Sequence, residues 1–245
     1  MFRKNLLLFA ALFMGAAAQT RTAEHILDRS VEVSGGKAAY EKLHAQSWEG
    51  DIEFAGQGLT GTLKLDVATG GRSHMLMDLG QLGTMRSGTT GEVAWQLSAM
   101  QGPRVLEGQE KEQALRMARL DAPLRWRQLY KDVRLDGEDT VAGKTCDKVS
   151  LTPVKSPAPE VQCYDRETGR LVYAETTMTS PMGEVRLRSV FLDYRQSGDL
   201  IVPFQIQQEI GPQTIVTRMK HVVWNGELDE KLFEIPKEIE ELLKK

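Results

Sequence analysis

The sequence is poor in the residues that usually announce a chemistry. It has 2 cysteines and 4 histidines in 245 residues, and its aromatic residues amount to only 7%. The histidines, His25, His44, His74 and His221, stand far apart without ligand spacing, which argues against a metal centre. No glycine-rich phosphate loop, HExxH pair, G-x-S-x-G elbow or CxxC pair occurs. These gaps remove the common sequence routes to nucleotide, metallopeptidase, serine-hydrolase and thiol-redox activity, and nothing calls for a cofactor. No apolar run reaches the roughly 20 residues that a membrane-crossing helix needs. Positive charge is not in excess either, with 31 Lys and Arg against 34 Asp and Glu, so nucleic acid is a poor partner.

What is present starts with an export signal. Arg3 and Lys4 precede an apolar run over residues 6–14, and Ala16, Ala17 and Ala18 supply small residues for cleavage. Residues 1–18 therefore read as a signal peptide, with a single domain over residues 19–245. Removing Arg3 and Lys4 takes the 31 basic residues to 29 against 34 acids, a net charge of −5. An oxidising destination favours a disulfide between Cys146 and Cys163, worth about 3 kcal/mol in the chain-entropy model. The alternative is a pair of buried free thiols.

The pattern of the exported part is mostly β. In residues 200–211, Val202, Phe204, Ile206 and Ile210 alternate with Gln205, Gln207 and Glu209, a period of two that gives a strand one buried face. Trp48, Ile52 and Phe54 alternate with Glu49, Asp51 and Glu53 in the same way, so those acids read as a solvated face rather than a paired-carboxylate site. Leu63, Leu65 and Val67, then Met75, Met77 and Leu79, continue the series. His74 reads as a polar residue among those methionines, and Arg186 and Arg188 as an exposed strand face. Glycine-rich turns separate the runs.

Two stretches break the pattern with helical periodicity. Thr22 caps an amphipathic segment that carries Ile26, Leu27 and Val31 and stops at Gly35-Gly36; a second piece covers residues 37–43. In the middle, residues 107–120 are strong helix formers, followed after Pro123 by residues 124–130 with Trp126. Residues 237–245 read as a short polar helical tail. The expected fold is therefore α+β: a long antiparallel sheet curled into an incomplete β-barrel, covered by the N-terminal helix and the central helical insertion.

Several short signatures, in this order and spacing, resemble the LolA-like lipoprotein-sorting proteins. They are Gly35-Gly36-Lys37-Ala38, Gly91-Glu92-Val93-Ala94-Trp95, the run from Gly137 to Lys144, Tyr164-Asp165-Arg166-Glu167-Thr168-Gly169, Asp193-Tyr194, and Asn225 followed by Phe233-Glu234-Ile235-Pro236. The resemblance spans residues 26–236 and is similar to the broad outer branch of that group more than to the dedicated lipoprotein chaperone. It implies a periplasmic, monomeric carrier without catalysis, binding lipoprotein acyl chains or another lipid, with transient membrane contact and an envelope donor or acceptor protein. The expected cavity wall is Phe54, Leu63, Leu65, Met75, Met77, Trp95, Val202, Phe204 and Ile206 on strands, with Leu115, Met117 and Trp126 on the covering helices. Methionine suits such a wall because its flexible thioether adapts to varied apolar guests. The alternative implied by related envelope-stress regulators is a lipid-responsive sensor or adaptor that acts through a protein partner.

Overall fold

The computed structural model describes residues 21–99, 101–156, 158–180 and 183–244; residues 1–18, expected above to be a signal peptide, lie outside them. The first helix, α1 (Ala23–Val33), starts where the Thr22 hydroxyl accepts a hydrogen bond from the His25 amide at 3.2 Å. It stops at Gly35 and Gly36, both at positive φ. A Cβ on Gly35 would lie 2.5 Å from the Asp199 carbonyl oxygen, so glycine there also allows the chain to press against a later turn. After the short α2 (Lys37–Glu41) the pattern becomes extended.

Six strands then follow as a meander: β1 (Ala45–Phe54), β2 (Leu59–Ala68), β3 (Arg72–Asp78), β4 (Thr84–Thr90), β5 (Ala94–Ser98) and β6 (Gly102–Leu106). The helical interruption comprises α3 (Gly108–Met117), a 3₁₀ turn (Ala122–Arg125) and α4 (Trp126–Leu129). A second meander returns through β7 (Tyr130–Val141), β8 (Lys144–Pro153), β9 (Glu160–Asp165), β10 (Leu171–Ser180), β11 (Gly183–Ser197), β12 (Leu200–Ile210) and β13 (Gln213–Trp224). A 3₁₀ turn (Glu230–Phe233) and α5 (Lys237–Leu243) complete the chain's described part.

All 13 strands form one antiparallel sheet in the order β6-β5-β4-β3-β2-β1-β13-β12-β11-β10-β9-β8-β7. Strands adjacent in space are adjacent in sequence except where β1 meets β13, the pairing that welds the two meanders together, and the consecutive strands β6 and β7 stand at opposite ends. The sheet is not closed: among the described residues β6 and β7 are unpaired edges, and the fold is an incomplete barrel.

Register assigns the faces. Trp48, Ile52 and Phe54 of β1 share a face with Leu63 and Leu65 of β2, which oppose Met77 and Met75 of β3; Met77 in turn opposes Met85 of β4. The other face of the same strands carries acids and bases in pairs, Glu53 with Arg218 at 2.8 Å, Asp51 with Lys220 at 2.6 Å and Glu49 with Lys64 at 3.2 Å. The charged alternates are paired at the surface, whereas Trp48, Ile52 and Leu63 on the apolar face are buried, as a period of two in burial requires.

Helices α1, α3 and α4 lie on the apolar face, which is therefore the inner one. From α3, Glu110 binds Arg104 of β6 at 2.9 Å, Gln113 donates to Thr176 of β10 at 3.4 Å, and Arg116 pairs with Glu160 of β9. Thus α3 spans the inside from one sheet edge to the far meander. Under α1, Ile26 and Leu27 pack with Trp126, Val149, Leu151 and Tyr164 in a buried core. The two helices are stapled by Asp28, whose carboxylate accepts from Trp126 Nε1 at 3.1 Å and from both terminal nitrogens of Arg127 at 2.8 Å. The Arg127 hydrogen bonds hold the Asp28 carboxyl below the usual carboxylate range despite its partial burial.

On the outer face, Cys146 and Cys163 form a disulfide that joins β8 to β9 and packs with Tyr173. Further round, the C-terminal segment covers the outside of the first meander: α5 packs against β6, and the 3₁₀ turn packs against β3 and β4 with Phe233 under the Arg72 guanidinium.

Candidate functional site

The inner face offers three features: an apolar strand surface and two cavities beneath the helices. The surface consists of Phe54, Leu65, Met75, Met77, Met85, Ile206 and Ile210, all half-buried, around the buried Leu63. In a filled core these large side chains would be almost wholly enclosed. Here they stay partly exposed and lie outside both cavities, a trough-like strip of hydrocarbon and thioether that crosses the weld between the two meanders.

The larger cavity has a volume of about 730 Å³ and sits at one end of the sheet. Its walls are α2, the glycine turns that follow β2 and β4, one side of α3 with Leu115, and Leu120, Leu124 and Leu129 beyond it. Its rim is charged. Asp121 accepts from Arg119 and from Arg125, each at 3.0 Å, while Lys155 reaches Glu112 at 3.1 Å. Burial raises the pKa of Asp121, but the two arginines more than offset it and the group stays ionised.

The smaller cavity, about 280 Å³, lies between α1, the α3–α4 connection and strands β7 to β12. It touches the larger one at Tyr40 and Leu129, which line both. Burial pushes the Tyr40, Tyr130, Tyr164 and Tyr194 phenols up, so all four remain protonated donors.

The expected wall residues fall into distinct places. Phe54, Leu63, Leu65, Met75, Met77 and Ile206 come together on the trough. Leu115 lines the larger cavity, and Trp126 and Val202 line the smaller. Phe204 is half-buried with the Arg195 guanidinium 4.8 Å from its ring centre. Met117 is 73% exposed on the solvent side of α3. Trp95 is on the other face of the sheet: it opposes Gly88, which opposes His74, which opposes Asp66, a line that alternates with the trough residues. There it is 2% exposed, laid so closely on Gly88 that a Cβ would come within 2.7 Å of the indole. The alternation of Val93, Trp95 and Leu97 is real, but the buried outer face beneath the C-terminal segment claims the tryptophan.

Sequence reasoning did not single out the tyrosines of the smaller cavity or the charged rim of the larger. The tyrosines are separated by tens of residues and obey no period; their scarcity, 5 in the whole chain, was the one available signal. Among the described residues no group of three or more His, Cys, Asp or Glu could hold a metal ion, and no helix is long and apolar enough to cross a membrane.

Comparison with solved structures fits this geometry. A LolA superfamily protein from Nitrosomonas europaea superposes with a TM-score of 0.58 at 12% identity, over 88% of this chain and 99% of that one. The fold is LolA-like. A DUF1329 family protein from Desulfovibrio piger gives a TM-score of 0.59 at 15% identity, covering 88% of this chain and 98% of its own. A Vibrio parahaemolyticus protein named as an outer membrane lipoprotein-sorting protein domain gives 0.57 at 14% identity, covering 91% and 100%. No protein-family model and no curated protein matches the chain by sequence. The LolA-like half-barrel thus accounts for nearly the whole described chain.

Proposed function

We propose that the protein is a non-catalytic carrier that holds acyl chains of lipoproteins or other lipids against the inner face of its half-barrel. In this reading residues 1–18 are a cleaved export signal, residues 19–245 are one periplasmic domain, and the working unit is a monomer that meets membranes and a donor or acceptor protein transiently. The observation that carries it is the trough: a set of half-buried aliphatic, thioether and aromatic side chains on the inner face, interrupted by Thr217 and Gln208 at the weld. Each methylene moved out of water is worth about 0.8 kcal/mol, so a chain of about 16 carbons gains on the order of ten kcal/mol by lying there. Methionines at Met75, Met77 and Met85 let the floor adapt to chains of different length and unsaturation.

The test is to purify the protein from its own envelope, extract it with organic solvent and weigh the native complex by mass spectrometry. Stoichiometric lipid that moves to acceptor vesicles supports the carrier. A stable protein partner with no lipid and no transfer replaces it with the adaptor reading. Within the same experiment, Met75→Asp and Met77→Asp should fold, because both sites are half-solvated, yet reduce bound palmitate at least about tenfold by setting a charge in the path of the chain. Unchanged palmitate binding in both variants would remove the trough from consideration.

A further inference from the structure

The chain has 5 tyrosines, and 4 of them, Tyr40, Tyr130, Tyr164 and Tyr194, converge on the smaller cavity together with Trp126 and Phe191. The fifth, Tyr173, is on the outer face with the disulfide. In a sequence with 4 Trp, 5 Tyr and 7 Phe, this gathers 6 of the 16 rings at one place, drawn from α2, α4, the start of β7, β9 and β11.

The polar ends of these rings are already occupied. Tyr130 donates to the Glu160 carboxylate at 3.1 Å, Tyr194 donates to the Leu171 carbonyl at 2.7 Å, and Tyr164 donates to the Gln162 side chain. Tyr40 bonds to the Ser34 side chain, and the Trp126 indole donates to Asp28 at 3.1 Å. Each ring is thus held at its far end, and what faces the chamber is mainly ring surface and the aliphatic groups of Leu27, Leu151 and Leu171. Such walls are rigid, with two side-chain torsions each and an anchored tip. They differ in kind from the methionine floor of the trough.

A rigid aromatic wall discriminates by shape. Ring faces and edges attract another flat ring in offset or edge-on contact, whereas a flexible chain must give up its torsional freedom to enter and gains no such contacts. Size narrows the guest further. An apolar cavity of about 150 Å³ accepts one benzene ring, and this one measures about 280 Å³, room for two fused rings. We infer that the smaller cavity is a separate binding site for a flat, apolar ring system of about bicyclic size, free or as the ring portion of a larger amphiphile. This inference does not depend on the acyl-chain reading of the trough.

The experiment titrates the delipidated, purified chain with methylnaphthalene, and separately with decane, a flexible hydrocarbon of nearly the same carbon number, by calorimetry. One methylnaphthalene per chain is expected, bound at least about tenfold more tightly than decane, with a change in Trp126 emission that disappears in Trp126→Phe. Ala122→Trp, which fills the chamber from the 3₁₀ turn, should weaken methylnaphthalene at least about tenfold while palmitate binding persists. Val202→Trp enters from the opposite wall and serves if the first variant does not fold. Decane bound as tightly as methylnaphthalene, or undiminished methylnaphthalene affinity in a folded tryptophan variant, overturns the proposal. Because palmitate is measured in parallel, loss of the trough reading and loss of this one are read separately.

Discussion

His74 shows how a single side chain on the outer face couples stability to pH. It sits half-buried opposite Asp66, with its ring centre 6.3 Å from that of Trp95. Burial lowers its pKa from the ordinary 6.5; the Asp66 charge works against this, and Arg86 and Lys64 reinforce it. The unfolded chain therefore takes up a proton at a higher pH than the folded one, and stability falls as the pH drops below 6.5 towards the folded value. The carboxylates of Asp28, Asp139 and Asp165 are shifted below 3.8, so their contribution stays intact above 3.8 and is lost only as the pH falls through their lower folded values. Denaturation midpoints should therefore drop between pH 7 and pH 5, and His74→Gln should flatten that limb while leaving the acid limb in place. An unchanged slope between pH 7 and pH 5 in the variant would assign the effect elsewhere. Asp66 itself is 1% exposed with its Oδ2 unbonded among the described residues, which makes this patch sensitive to any change in the imidazole.

At the level of elements, the disulfide between β8 and β9 makes the clearest prediction. The pair are 17 residues apart and both are fully buried, closing the loop that contains Pro153 and Pro159. Cys146→Ser with Cys163→Ser should lower stability by about 3 kcal/mol through loop entropy, or roughly 6–12 °C in Tm for a chain of this size. Bound lipid should be unaffected, because the bridge is on the outer face and the trough on the inner. Strand pairing of this kind was legible in advance: Glu49, Asp51 and Glu53 alternating with Ile52 and Phe54 fix both the element and its solvated side, and the structure pairs those acids with Lys64, Lys220 and Arg218. The capped first helix and the helical break before Trp126 were legible for the same reason, since periodicity and caps are local. Which side of β5 would be covered was not. Trp95 went to the outer face because α5 and the turn before it, more than 130 residues downstream, supply a second apolar cover. The tyrosine chamber was equally hidden, because its walls meet only when two meanders and a helix are brought together.

The whole molecule is a ladder with a middle and two ends. β13 stands at the centre of the strand order, flanked by β1 and β12, while β6 and β7 are the termini. Amides of β1 and β13 should therefore exchange with solvent most slowly, and those on the free side of β7 among the fastest of all strand amides, as read by hydrogen-exchange mass spectrometry. Strong protection along β7 would mean that another chain pairs with it in solution. The long β7 edge is defended against such pairing by Lys131, Asp132, Arg134, Asp136 and Glu138, all exposed, and by a register shift between Leu135 and Glu138.

The strand order also has a mechanical corollary. The two unpaired edges are consecutive in the chain, joined directly by residues 107–129, so the segment roofing the interior is at the same time a strap buckled across the slot, held by Arg104 to Glu110 on one bank and Arg116 to Glu160 on the other. Spreading the banks tightens the strap, and unbuckling either ion pair slackens it. For the proposed carrier, admission of a guest and widening of the slot are then a single movement.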